Sequence, residues 1–207
     1  MTPEQVQGYF TRRDGQYLFA RWARPIVPVL FGVDAASLAI FKGAIGAVVA
    51  LANHKMAEFD TELGANLMVF FCKDWAELRD VPNLEKLVPG LADLCDKLQM
   101  TDANQYRMFR FDRDGAIRAA FVFLRIDAHL AAVPAEVLAL SQAVQIILLW
   151  SDCAFEAAPP LVNTDAGEAL RPEIGALIRA GYDPVLPDMA DNPAHGLRLF
   201  ARIAAVV

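Results

Sequence analysis

The stretch LALSQAVQIILLWSD, residues 138–152, constrains this chain more than any other. Its only polar side chains are Ser141, Gln142, Gln145, Ser151 and Asp152. Pro134 lies just upstream, in the first turn of the helix this stretch predicts, where a missing N–H costs nothing. A helix that is apolar on nearly every side must be buried. This one is too short to cross a bilayer core of about 30 Å. A second apolar stretch, AASLAIFKGAIGAVVALAN, carries Lys42 in its middle and is bounded by Asp34 and His54. It also reads as a buried helix, running to about Asn53, with Asp34 as N-cap and a stripe of Leu38, Phe41, Ile45, Val48 and Val49.

Strand signals surround these helices. RPIVPVLFG ends at Gly32, and Pro25 and Pro28 confine it to an edge or near-edge strand. NLMVFFC at 66–72 is a short continuous apolar run, the pattern of a strand covered on both faces. Short helices broken at Pro82 and Pro89 follow. QYRMFRF and AIRAAFVFLRI flank DRDG, and Asp114-Gly115 supplies the positive φ that a tight hairpin turn needs. The second hairpin strand is apolar on both faces and belongs inside the sheet. Beyond Cys153, the segment AFEAAPPLVNTDAGEAL reads as a loop. A helix from Pro172 to Gly181 follows, and a last helix after Asn192-Pro193 carries Leu197, Phe200 and Ile203 on one face. The expected fold is α+β: a mixed sheet of about four strands, a long buried central helix and a small helical C-terminal tail. The expected divisions are an N-terminal arm over 1–20, an α+β core over 21–153 and a C-terminal helical subdomain over 154–207.

Composition narrows the class. Hydrophobic residues make up 56% and charged residues 21%, a globular balance and not a disordered one. The net charge of −6 argues against nucleic acid, which needs concentrated Lys and Arg. Arg107, Arg110 and Arg113 lie in the hairpin and read as a solvated face. Cys72, Cys95 and Cys153 form no close pair, so neither a disulfide framework nor a zinc knuckle is expected. Cys72 and Cys95 read as small buried hydrophobes. The first 25 residues lack a charged segment followed by an apolar core, so no signal peptide is expected. A cytoplasmic protein without stable membrane insertion follows.

The element order is similar to the N-terminal lobe of the zincin metalloproteases. Their helix after the last strand carries H-E-x-x-H, whose two His meet one zinc from one helical face. More specifically, the chain resembles an uncharacterised proteobacterial family with a degenerate, relic zincin-like fold. The resemblance spans about residues 21–200. It rests on RW with RPIVPVLFG, on ELGANLMVFF, on the hairpin FRFDRDGAIRAAFVFL with the helix ending in SD, and on LIRAGYDPVLPDM. That family keeps a polar E-E-x-x-Q version of the motif. Aligning Gln142 with its Gln puts Leu138 and Ala139 at the acidic pair, so this helix offers no metal ligand.

The resemblance leaves Gln142, Asp152 and the turn Tyr182-Asp183-Pro184 as pocket candidates, with Asn66 and Arg118 as further wall residues. Gln142 and Gln145, inside an apolar helix, must bond to a sheet edge or a loop carbonyl, or else Gln142 lines a pocket between the sheet and the helical tail. Tyr182 could place its hydroxyl on the buried helix, and Asp183 suits an Asx turn. Arg118, inside an apolar strand, needs a carboxylate, for which Asp152 or Asp183 is the expected partner. His54, His129 and His195 show no metal spacing and read as exposed structural residues. The composite expectation is a non-catalytic binding or scaffold domain with no cofactor and no metal, binding a protein or small-molecule ligand. The alternative is a hydrolase with an acid/base site near Asp152 and Asp183, or at His129 with Asp127. A third reading is peripheral membrane attachment through Tyr9, Phe10, Tyr17, Phe19 and Trp22.

Overall fold

The computed structural model describes residues 1–165 and 167–204. In chain order its elements are α1 (Pro3–Gly8), β1 (Phe19–Ala20), β2 (Pro28–Phe31), α2 (Ala35–Leu51), β3 (Leu67–Cys72), a 3₁₀ helix (Trp75–Asp80), α3 (Leu84–Leu87) and α4 (Leu91–Met100). Then come β4 (Gln105–Phe111), β5 (Ile117–Arg125), α5 (Ala128–Ala131), α6 (Ala135–Ile147), β6 (Leu161–Thr164), β7 (Gly167–Leu170), α7 (Pro172–Gly181), β8 (Met189–Ala190) and α8 (Ala194–Ala204).

The main sheet runs β2-β3-β5-β4, with β4 antiparallel and the rest parallel. It is the mixed four-stranded sheet of an α+β fold. The proline-bearing strand β2 lies at one edge. Asp112 closes the hairpin turn by accepting from the N–H groups of Asp114 and Ala116, and Gly115 takes φ +84°. Asp34 caps α2 through the N–H of Ser37. Side chains alternate across the inner strands. Leu67, Val69, Ala120, Val122 and Leu124 pack with residues of α2, α6 and α7 on one face. Phe70, Cys72, Ala119, Phe121 and Phe123 pack with the 3₁₀ helix, α3 and α4 on the other. Both faces are therefore covered, as the unbroken apolar runs require.

Helix α6 stops at Ile147, five residues before the end of the apolar stretch that predicts it. Leu148 turns extended, with φ −134°, and forms an antiparallel bridge with Arg21. The last carbonyls of a buried helix need partners. Here the Trp150 indole donates to Val144 at 2.8 Å, the Trp22 indole to Ile146 at 2.8 Å, and the Tyr182 hydroxyl to Ile147 at 2.8 Å. Arg21 holds the segment carrying Tyr182 by donating to the carbonyls of Gly181, Asp183 and Leu186 and to the Asp188 carboxylate. The RW pair and the GYDPVLPD segment are thus one unit around the end of α6.

The first twenty residues are not a loose arm. Val6, Phe10, Tyr17 and Phe19 are buried in the main core, and Phe10 stacks on Trp150 at 5.5 Å. Phe10, Tyr17, Phe19 and Trp22 are therefore unavailable for membrane attachment, and no helix among the described residues is long and apolar enough to cross a membrane. Two readings of the C-terminal region also change. Leu161–Thr164 and Gly167–Leu170 pair as the antiparallel strands β6 and β7, where the sequence reads as a loop. Helix α8 buries His195, Gly196 and Leu199 and leaves Leu197 exposed, because it packs against the N-terminal segment. A Cβ on Gly196 would come within 2.5 Å of Gln7 Cγ, so only glycine admits α1 there.

His195 is buried, not exposed. Its Nδ1 lies 2.9 Å from the Tyr17 hydroxyl oxygen and its ring 4.4 Å from that of Phe19. Burial lowers its pKa from 6.5 to about 4. His54 is half-buried with Nε2 2.8 Å from the Arg24 carbonyl oxygen, and burial lowers its pKa too. Of the three histidines, only His129 is exposed.

Two outcomes follow from this packing. Tyr182→Phe leaves the Ile147 carbonyl buried without its donor and should lower stability by about 1–3 kcal/mol in urea denaturation. In the unfolded chain His195 takes up its proton near 6.5, whereas in the folded chain it does so only near 4. The unfolded state thus binds more protons in that window. Stability should fall as pH drops from 6.5 towards 4, by up to about 3 kcal/mol from this residue. His195→Phe should flatten the decline in urea midpoints measured across that range, leaving the share that His54 contributes.

Candidate functional site

Strand β4 is an edge strand whose one ladder partner is β5. The Asn104 carbonyl accepts from the Arg125 N–H at 2.9 Å, and the same register pairs Gln105 with Leu124 and Arg110 with Ala119. Hydrogen-bonded pairs recur at every second residue of an antiparallel ladder. Tyr106, Met108 and Arg110 therefore bond to β5, and the N–H and C=O groups of Gln105, Arg107 and Phe109 point outward. Strand β5 agrees: its even residues turn the other way, with the Ala120 N–H donating to Asn66 O and the Ile126 N–H to Cys72 O.

A cleft of about 760 Å³ runs along that free edge. Five consecutive β4 residues, Gln105 to Phe109, line it. Neighbours on a strand point to opposite faces, so a cleft touching all of them follows the edge and not a face. Its far wall is the chain after α6, from Leu149 to Glu156, together with Arg12. That wall is anchored to the N-terminal segment. The Leu149 N–H donates to Ala20 O, the Ser151 N–H to Tyr9 O, and Trp150 and Phe155 pack against Tyr9.

Two lining residues, Gln105 and Arg107, close a polar triangle with the buried Gln142, which does not itself line the cleft. Arg107 Nη1 donates to Gln142 Oε1 at 2.9 Å and to Gln105 Oε1 at 3.3 Å, and Gln142 Nε2 donates to Gln105 Oε1 at 2.8 Å. The buried amide of Gln142 is thus satisfied by the sheet edge. Burial lowers the Arg107 pKa to about 10, so the guanidinium stays charged at neutral pH. Arg107 does not belong to a solvated face; only the tip of the hairpin, with Arg110 and Arg113, is exposed.

The other predicted residues scatter. Asp152 lines the cleft wall, where its carboxylate accepts from the Arg13 N–H at 3.1 Å and pairs with the Arg13 side chain. Glu156 binds the same Arg13. Tyr182 and Asp183 line a separate cleft of about 450 Å³ beside α2 and α7, with Asp183 held by Arg202 at 2.7 Å and by the Val185 N–H. Arg118 lies on a third surface, and its partner is Glu62 at 3.3 Å, not Asp152 or Asp183. Asn66 lines none of these clefts. It is fully buried and joins the Val27 N–H, the Pro25 carbonyl and the Asp60 carboxylate. Asp127 caps α5 through the Leu130 N–H, so it is not free to orient His129.

Gln105 and Arg107 are the residues that sequence reasoning overlooks. A signal was present: both are polar, they share one face of a strand, and a polar Gln142 on an apolar helix needs a partner. Among the described residues, no group of three His, Cys, Asp or Glu side chains is placed to hold a metal. Cys153, half-buried, lies 3.5 Å from the Thr11 carbonyl oxygen and 3.6 Å from Ser151 Oγ. Compared with protein-family models, with curated proteins and with solved structures, the chain matches none.

Proposed function

We propose that the chain is a non-catalytic, cytoplasmic binding module built on a relic zincin-like lobe, and that it takes an extended polypeptide segment along β4. The observation that carries this reading is the outward set of N–H and C=O groups at Gln105, Arg107 and Phe109, opening into a cleft of about 760 Å³. An extended segment can add there as a further strand, with main-chain hydrogen bonds giving affinity. Apolar surface from Phe109, Leu149, Trp150 and Phe155 can take its side chains.

The polar groups of the cleft favour binding over chemistry. Gln142 spends both ends of its amide on Arg107 and Gln105, and Leu138 and Ala139 on the same helix are buried and bring no ligand. A hydrolase using Asp152 with Asp183 would need the two in one cleft, and they line different ones.

Hydrogen exchange tests the reading on the whole chain. In the free protein the amides of Tyr106, Met108 and Arg110 should be protected, and those of Gln105, Arg107 and Phe109 should exchange fast. Acetylated tetrapeptides rich in Leu and Phe, at millimolar concentration, should slow the second set about tenfold or more, with no cleavage detected when zinc is added. Cleavage, or protection confined to another surface, would overturn the reading.

A further inference from the structure

We infer that the ligand of this cleft presents a carboxylate, and that Arg107 receives it. The inference rests on the β4-edge reading and adds the chemistry of the ligand. It begins with a contrast among the arginines. Where Arg serves the fold, it has a carboxylate: Arg21 with Asp188 at 2.6 Å, Arg24 with Glu62 at 2.9 Å, Arg125 with Asp102 at 2.7 Å, Arg202 with Asp183 at 2.7 Å. Arg107 is as deeply set as most of these, yet among the described residues its only side-chain partners are the neutral amides of Gln105 and Gln142.

Withdrawing a cation from water without a counter-ion is unfavourable. Packing does not require one here, since an apolar residue could fill the space between β4 and α6. The two glutamines orient the guanidinium without neutralising it. Both accept from Nη1, which leaves the Nε–Nη2 side without an acceptor among the described residues. That side is a planar fork whose two N–H groups match the two oxygens of a carboxylate. Arg107 lines the cleft, so a bound strand passes beside it. Arg12 stands on the opposite wall, also outside any ion pair among the described residues, whereas the wall carboxylates Asp152 and Glu156 are both occupied by Arg13. An incoming anion therefore meets cations that no carboxylate among the described residues has claimed.

The carboxylate can be a peptide C-terminus or a Glu side chain, and three probes separate the two. They are an acetylated Leu/Phe-rich tetrapeptide as the free acid, the same peptide as the C-terminal amide, and that amide with one internal Glu. Affinity is read by titration of amide chemical shifts in the full chain and in Arg107→Gln, with thermal unfolding as the fold control. The free acid or the Glu peptide should bind about tenfold or more tighter than the plain amide, and R107Q should abolish that preference. Gln can keep the amide triangle, and the β4 ladder is main-chain, so the variant should fold. Equal binding of all three peptides, with the amides of Gln105, Arg107 and Phe109 still protected, would overturn the carboxylate inference and leave the docking reading standing. A preference that survives in R107Q would overturn the assignment to Arg107. Binding by none of the peptides would overturn both.

Discussion

The carbonyls at the end of α6 are the constraint on which the rest of the molecule hangs. The helix is buried at Leu138, Ala139, Ala143, Val144, Ile146 and Ile147, so water cannot satisfy its last turn. No local capping motif is available, because the following residues are Leu148, Leu149 and Trp150. Trp150 supplies one side-chain donor from just beyond the helix, and the other two come from afar: an indole from residue 22 and a hydroxyl from residue 182. Each of these then needs its own support, which Arg21 gives to the 181–188 turn and Phe10 gives to Trp150. The N-terminal and C-terminal segments are therefore parts of the core, which contains buried residues from Val6 to Leu199.

The same event makes the cleft. Because α6 ends at Ile147, the chain leaves the helix layer and crosses to the N-terminal segment, bonding at Leu149 and Ser151. That path stands opposite the free edge of β4 without pairing to it. A helix running on to Asp152 would have carried Trp150 away from Phe10 and removed the far wall. Structural satisfaction of one helix end and an accessible strand edge are thus two consequences of one turn.

Much of this was legible in the sequence, and what failed shares a cause. The order of elements from β2 to α6, the edge position of the Pro25 and Pro28 strand, the Asp34 cap and the Asp114-Gly115 turn rest on signals within a few residues, and all are present. The end of α6 is not legible because Leu148, Leu149 and Trp150 continue the apolar run, and two of the three side-chain donors that meet its last carbonyls come from residues 22 and 182. Trp22 and the N-terminal aromatics could be read as surface groups because the sequence does not say what they touch. His195 lies in the polar-looking start of α8, yet Tyr17, 178 positions away, makes it a core residue. The candidate site was half legible. That the buried amide of Gln142 needs a partner is legible; that the partner is Arg107, 35 residues off, and that Arg107 and not Gln142 lines the cleft, is not.

An open strand edge is hazardous as well as useful, since unpaired N–H and C=O groups recruit other chains. Strand β4 limits the risk at both ends. A register shift between Arg110 and Phe111 bends it near the hairpin, where Arg110 and Arg113 add exposed charge. The loop from Leu149 to Glu156 lines the cleft opposite this edge, where a flat sheet would have to approach. A second copy of this edge would also bring Arg107 against Arg107, and among the described residues neither would have a carboxylate beside it.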